Sequence, residues 1–129
     1  MMPETHFLNV DLDLVSADDL SSLIQEFGDD VIVMNDTWLE GEHHVSFELG
    51  AGESIEPDYL IECFYTLVQK LSTPSKLLWK NCKSRVFDLG FESGTTPRSY
   101  HAHLSVKTIE SLSKIDAQVA ITIYGNIEK

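Results

Sequence analysis

This sequence has few basic residues, and its first half has none. Nine Lys and Arg stand against 21 Asp and Glu, which gives a formal net charge of −12. Residues 1–69 hold 16 acidic side chains and no basic one, whereas residues 70–129 carry a net charge of +4. Binding to a nucleic-acid backbone requires lysine and arginine. We therefore expect no nucleic-acid binding through the first half, and its acidic surface favours a basic protein partner.

Cysteines, long apolar segments and targeting signals are also scarce. Cys63 and Cys82 are far apart and match no metal-binding spacing, which predicts reduced thiols. Cys82 lies between two lysines, a setting that favours a lowered thiol pKa. Apolar runs are short, so no membrane span is predicted, and "MMPETHFLNV" lacks the basic and apolar regions of a secretory signal. We therefore expect a cytoplasmic protein.

What is present is an alternation of strand and helix patterns. The 129 residues, 43% of them hydrophobic, are expected to form a single domain, 1–129. "FLNVDLDL" (7–14) alternates apolar and polar residues, as a half-buried strand does. The other patterns predict a helix at 16–28 capped by Ser16, strands at 31–40 and 42–50, a helix at 57–71, a basic connector at 72–85, a strand at 86–94, a short helix capped by Ser105, and a last strand at 117–125.

This element order predicts an α+β fold. The most economical arrangement is a ferredoxin-like two-layer sandwich, with a mainly antiparallel sheet and helices on one of its faces. The first and third strands would be neighbours in it. The face without helices would then carry the polar side chains of these two strands, which are Asp11, Asp13, His44, Ser46 and Glu48.

Two His-x-Ser elements suggest a catalytic alternative. His44 with Ser46, and His103 with Ser105, resemble the paired His-x-Ser/Thr motifs of the two-histidine phosphoesterases. The resemblance implies that the histidines act as general acid and base on a phosphodiester while the hydroxyls bind phosphate oxygens. Against this reading, Ser105 precedes residues with helical spacing and is better explained as a helix N-cap. Carboxylates beside the proposed cleft would also repel a phosphodiester.

A metal or small-ligand site is a second alternative. His43, His44, His101 and His103 offer nitrogen ligands, and nearby carboxylates offer oxygen. Histidines two residues apart on a strand are more often solvated side chains, and no C-x-x-C or H-E-x-x-H motif accompanies them. We therefore predict no metal and no cofactor.

The C-terminal region carries a family resemblance. "VFDLGFESGTTPRSYHAHLSVKTIESLSKIDAQVAITIYG" (86–125) resembles the ending of the bacterial domain of unknown function 4279 family, with its "FDLGF" strand, polar loop, "LS…T…L" helix and "VAITIYG" strand. The opening "FLNVDLDL" and the helix after it are compatible with the same family. The resemblance implies a small bacterial cytosolic domain, and it supplies no catalytic residue.

These observations favour a non-enzymatic, acidic protein-binding module of the immunity or antitoxin type. Its partner would be a basic protein, because residues 1–69 carry a net charge of −16 and no coherent catalytic set is present. The oligomeric state is not specified by the sequence. The residues expected to contact the partner are Asp11, Asp13, Asp29, Asp30 and Glu48.

Overall fold

A computed structural model describes residues 4–50, 56–95 and 99–125. The strands are β1 (His6–Ser16), β2 (Val31–Leu39), β3 (Glu42–Leu49), β4 (Ser84–Glu92) and β5 (Gln118–Tyr124). The helices are α1 (Ser21–Phe27), α2 (Pro57–Gln69), α3 (Thr73–Lys80) and α4 (Val106–Lys114), and a 3-10 turn, Gly28–Asp30, follows α1. The predicted α+β class is confirmed.

The strands form one five-stranded sheet in the order β2-β3-β1-β4-β5. β1 pairs antiparallel with β3 and with β4, and β2 pairs antiparallel with β3. β4 and β5 are parallel, so the sheet is mixed rather than purely antiparallel. The reason is the connection: the chain leaves β4, passes through α4 and returns in the same direction, as a strand–helix–strand crossover requires.

One face of this sheet is buried and the other is open. Along β1, Val10, Leu12 and Leu14 are buried, while Asp11 and Asp13 between them are only half-buried. The alternation continues on β3 and β4, whose buried residues pack with those of the helices in one hydrophobic core. The helix layer therefore covers one face, and the intervening polar side chains line the other.

The helix boundaries follow local capping chemistry. α2 begins at Pro57, whose fixed φ and missing N–H suit a first helical position. α4 begins after Ser105, whose side chain accepts a hydrogen bond from the backbone N–H of Thr108, as predicted for an N-cap. The Asp58 carboxylate also accepts the N–H of Ser105, at 3.0 Å, which ties the start of α4 to α2.

The first helix is shorter than the predicted 16–28, since it begins at Ser21. Ser16 is not its cap: this residue is the buried last residue of β1, and its hydroxyl accepts the N–H of Asp18 at 3.0 Å. Asp19 accepts the N–H of Ser21 instead, at 2.9 Å. The serine thus stabilises the turn that leaves the strand rather than the helix itself.

The predicted basic connector at 72–85 contains a helix, α3. Its N-cap is Ser72, and the Glu26 carboxylate of α1 accepts hydrogen bonds from both the N–H and the hydroxyl of that serine. Trp79 buries its ring in the core and donates its indole N–H to the carbonyl of Ile115 at 2.8 Å. Trp79 is the one hydrophobic residue of α3 that is fully buried, so the sequence shows little helical periodicity at 73–80.

Candidate functional site

The most distinctive polar feature is a row of carboxylates on the open face of the sheet. Asp11 and Asp88 are directly opposite each other on β1 and β4, and Asp13 is opposite Ser46 on β3. Glu48 follows Phe47, the partner of Leu12, and hydrogen-bonds to Asp11. Four carboxylates from three adjacent strands therefore lie side by side, and we call Asp11, Asp13, Glu48 and Asp88 the acidic row.

Crowding changes the acid–base behaviour of this row. Burial is the main cause that raises the pKa of Asp11 to about 7, and the hydrogen bond to Glu48 and the charges of Glu48, Asp13 and Asp88 add to it. Burial also raises the pKa of Asp13, although a hydrogen bond with Ser46 opposes the shift. Among the described residues, Oδ1 of Asp11 has no hydrogen-bond partner. At neutral pH, Asp11 is thus protonated for part of the time.

Neutral side chains hold the outer carboxylates of the row in place. The Asn9 amide donates to Glu48 at 2.5 Å, and the Thr122 hydroxyl of β5 donates to Asp88 at 2.8 Å. Basic side chains do not take part in these contacts. The row therefore keeps unneutralised negative charge on a surface that no helix covers.

The structure brings together only some of the residues predicted to contact a partner. Asp11, Asp13 and Glu48 share the open face, whereas Asp29 and Asp30 are exposed in the 3-10 turn after α1. Asp30 lines a cleft formed with residues of α2, on the helix side of the sheet. The sequence pattern assigns Asp29 and Asp30 to neither face of the sheet, and in the structure both lie away from the acidic row.

Asp88 belongs to the acidic row but was not among the predicted contacts. In "VFDLGF", Asp88 stands between the buried Phe87 and Leu89 on the same strand. The alternation alone therefore predicts that its side chain points to the other face of the sheet. Its position beside Asp11 depends on the pairing of β1 with β4, two strands more than 60 residues apart in the chain. The contact between Asp88 and Asp11 is therefore visible only in the folded structure.

The two His-x-Ser elements lie on different sides of the sheet. His44 and Ser46 are on the open face, because their neighbours His43, Val45 and Phe47 point to the core. His103 is exposed in the segment before α4 and lines a cavity with Pro57, Leu104 and Ile109 on the helix side. Ser105 caps α4. The geometry thus does not place the two histidines around one cleft.

His43 has a structural environment. The ring is buried, its Nδ1 accepts the N–H of Leu20 at 3.0 Å, and its Nε2 lies 2.7 Å from Oδ1 of Asp36. Because Nδ1 is the acceptor, the neutral ring carries its proton on Nε2 and donates it to Asp36. Trp38 stacks on the ring, with centroids 4.6 Å apart. His43 thus joins the entry of α1 to the edge strand β2.

The remaining candidate ligands are dispersed. The rings of His101 and His103 are 5.7 Å apart in the exposed segment before α4. Within residues 4–50, 56–95 and 99–125, no group of three or more His, Cys, Asp or Glu side chains is arranged to hold a metal ion. Cys82 is buried, and desolvation raises its thiol pKa to about 11, so the predicted lowering by its lysine neighbours is wrong. Burial outweighs the charges because those lysines are exposed to water.

The edge strand β2 adds an exposed apolar element at the edge of the sheet. Trp38 is the cross-strand partner of His43, so its side chain lies on the helix side of the sheet and not on the face of the acidic row. Beyond Val31 all of its residues are exposed, among them Met34, Trp38 and Leu39, with exposed fractions of 55%, 51% and 58%. The register shifts between Val33 and Asn35, which indicates a β-bulge. Trp38 is a large, half-exposed side chain held in one orientation by His43, a combination typical of an interface anchor.

In the part of the chain that the structure describes, no helix combines the length and the apolar character needed to cross a membrane. Comparison of the chain with protein-family models, with curated proteins and with solved structures gives no match.

Proposed function

We propose that this protein is a non-enzymatic binding module, of the immunity or antitoxin type, that recognises a basic surface of another protein. The observation that carries the proposal is the acidic row: Asp11, Asp13, Glu48 and Asp88 are adjacent on the open sheet face, and among the described residues their hydrogen bonds are made with neutral or acidic side chains. A lysine or arginine placed over the row would displace the proton of Asp11 and neutralise the repulsion among the carboxylates.

The edge strand β2 supports the same conclusion. Its exposed apolar side chains are flanked by Asp36 within the strand, which hydrogen-bonds to His43, and by Glu40 in the turn after it. Glu42, at the start of β3, is paired with Lys83. Binding energy at protein interfaces is concentrated in a few aromatic anchors, while surrounding charges set the partner's identity and the rate of association. Trp38 with this acidic rim fits a partner that presents a pocket among basic side chains.

We also propose a ferredoxin-like arrangement for the first four strands, to which β5 is added. The support is their order, β2-β3-β1-β4, with antiparallel pairing throughout. Membership of residues 86–125 in the domain of unknown function 4279 family and a cytoplasmic location belong to the same proposal. They rest on the sequence patterns alone.

The test is a binding titration with a defined basic probe, a lysine- and arginine-rich peptide, monitored by calorimetry. The triple variant Asp11→Asn, Asp13→Asn, Asp88→Asn should bind about tenfold more weakly. Its matched control is Asp29→Asn, Asp30→Asn, Glu110→Gln, which removes the same number of carboxyl groups from exposed positions outside both the row and the rim of β2. The control should change the affinity by less than about twofold. Equal losses in both variants would show that only net charge matters and would contradict the proposed site.

The pH dependence gives an independent check. Because the pKa of Asp11 is raised to about 7, binding of a cation must release its proton below that pH. The affinity for the basic peptide should therefore rise between pH 6 and pH 8, and the Asp11→Asn variant should lose most of this rise. An enzymatic role is tested separately: hydrolysis of a phosphodiester that His103→Ala abolishes would refute the non-enzymatic proposal.

A further inference from the structure

The opposite edge of the sheet, β5, has a different character. On the side of the sheet that faces the helices, β5 presents Val119, Ile121 and Ile123, whose exposed fractions are 38%, 63% and 64%. The equivalent side chains of its neighbour β4, Leu89 and Phe91, are buried. The helix layer therefore ends over β4, and the last strand carries an uncovered apolar stripe.

This stripe continues into the surrounding surface. A cavity of about 460 Å³ lies between β5 and the segment before α4, lined by Phe91, Tyr100 and Ile121 among others. A second cavity of about 310 Å³ extends the apolar surface towards Leu104 and Ile109. Ile109 and Tyr100 are themselves 53% and 45% exposed. Contiguous apolar surface of this kind marks an interaction site.

β5 also lacks the devices that keep edge strands from pairing. Charged side chains, proline or a β-bulge prevent an exposed edge strand from pairing with another chain. Residues 117–125 contain no charged side chain and no proline, and the pairing of β5 with β4 runs without a register shift from Val86–Gln118 to Glu92–Tyr124. β2, in contrast, has both a bulge and Asp36.

The distribution of charge in the chain favours a second copy over a basic partner at the β5 edge. The whole chain carries −12, and its excess negative charge lies in residues 1–69, which supply β1, β2 and β3 but not β5. A basic partner is attracted to the β2 side and gains nothing at an uncharged strand. Two copies of this chain repel each other through their acidic halves, and β5 is the sheet edge at which they can meet with those halves far apart.

We infer that two copies of this protein associate by antiparallel pairing of their β5 strands, Gln118–Tyr124, around a two-fold axis. Such a contact is self-complementary, since each copy contributes the same uncharged strand and the same apolar stripe. The result is a continuous ten-stranded sheet with the two β2 edges at its outer ends. The acidic row and Trp38 stay accessible in both copies, so the dimer is independent of the proposed basic partner.

The experiment is sedimentation velocity of the full chain over a range of concentrations, at near-physiological salt. The expected result is a species of twice the 14.5 kDa mass, which dissociates on dilution. The variant Ile121→Lys places a lysine at the centre of β5 in each copy and should remain monomeric at concentrations at which the wild type is dimeric. The matched control Leu77→Lys, on α3 and 58% exposed, should still form the dimer.

Hydrogen exchange identifies the edge that pairs. In the dimer, backbone amides of β5 should exchange more slowly at high protein concentration, whereas those of β2 should be unaffected. A wild type that stays monomeric at all concentrations would overturn the inference. A dimer that survives Ile121→Lys, or protection found at β2 instead of β5, would also overturn it. Loss of the dimer would leave binding of the basic peptide intact, so failure of this inference and failure of the proposed function are distinguishable.

Discussion

The two edge strands of the sheet show how one small fold separates two kinds of surface. β2 lies in the half that has no basic residue, contains a bulge, and displays Trp38 on a buried histidine. β5 is regular and uncharged, and its isoleucines are exposed without support from the helix layer. Both edges expose apolar side chains, so hydrophobicity alone does not distinguish them. The difference in charge and in edge geometry suits β2 to a basic partner and β5 to a second copy.

The two edges also differ in how closely their side chains are connected to the core. The β2 edge is connected to the core through His43, which hydrogen-bonds Leu20 and Asp36 and carries the ring of Trp38. Changes there should affect folding as well as binding. The isoleucines of β5, Ile121 and Ile123, are mostly exposed within one copy, so changes at these two residues should affect association alone.

The largest effect is expected from His43→Ala. The substitution removes a buried ring, leaves the N–H of Leu20 without its acceptor and deprives Trp38 of its stacking partner. The free energy of unfolding should fall by about 2–4 kcal/mol, measured by urea denaturation. His44→Ala, one residue away on the open face, should cost less than about 0.5 kcal/mol. A loss below about 1 kcal/mol for His43→Ala would contradict the role of this histidine as the anchor of β2.

The substitution Asp11→Asn in the acidic row should raise the free energy of unfolding of the protein, by an amount that depends on pH. The pKa of Asp11 is raised from 3.8 to about 7 in the folded protein, so folding favours the protonated form. Its contribution to stability is therefore full below about pH 4 and is lost as the pH rises towards and through 7. The variant should be more stable than the wild type by about 1–2 kcal/mol at pH 8, a value discounted because the carboxyl is only half-buried.

The check is urea denaturation of both proteins at pH 8 and at pH 4, where the difference should nearly vanish. Asp29→Asn, which changes an exposed carboxylate in the 3-10 turn, serves as the control and should differ little from the wild type at both pH values. A gain for Asp11→Asn that is the same at pH 4 and pH 8 would exclude proton linkage as its cause.

Salt should distinguish the two edges. Raising the ionic strength from 0.05 to 0.5 M screens exposed charges, so binding of the basic peptide should weaken by about tenfold or more. Dimerisation through β5 involves no charged side chain of that strand and should not weaken. Calorimetry and sedimentation at both salt concentrations measure the two responses. Parallel weakening of both would mean that charge governs both contacts and would remove the distinction.

The smallest effect is expected from lysines placed on either edge. Met34→Lys on β2 and Ile121→Lys on β5 change side chains that are 55% and 63% exposed. Each should alter the free energy of unfolding of the monomer by no more than about 0.5 kcal/mol, measured by denaturation at low protein concentration. Met34→Lys should nevertheless weaken binding of the basic peptide, and Ile121→Lys should abolish the dimer. A large loss of stability in either variant would show that its edge supports the fold.

Much of the secondary structure was predictable because its signals are local. The alternation in "FLNVDLDL" and "EHHVSFELG", the proline at the start of α2 and the serine before α4 each act over a few residues. The errors have a common origin. Ser16 resembles a helix cap, but it is the last residue of β1, where it pairs with His43 of β3. Trp79 is buried in the core, and its indole N–H donates to the carbonyl of Ile115. Both depend on contacts with distant parts of the chain.

Three features follow directly from the order of the residues: the α+β class, the alternation that turns Asp11, Asp13 and Glu48 to one face of their strands, and the excess of negative charge in residues 1–69. Three others emerge only when the strands pair: Asp88 joins the acidic row, His44 and His103 lie on different sides of the sheet, and the uncharged β5 forms an edge. The reason is physical: periodicity sets the direction of a side chain from its own strand, whereas its neighbours depend on which strands pair across long stretches of chain.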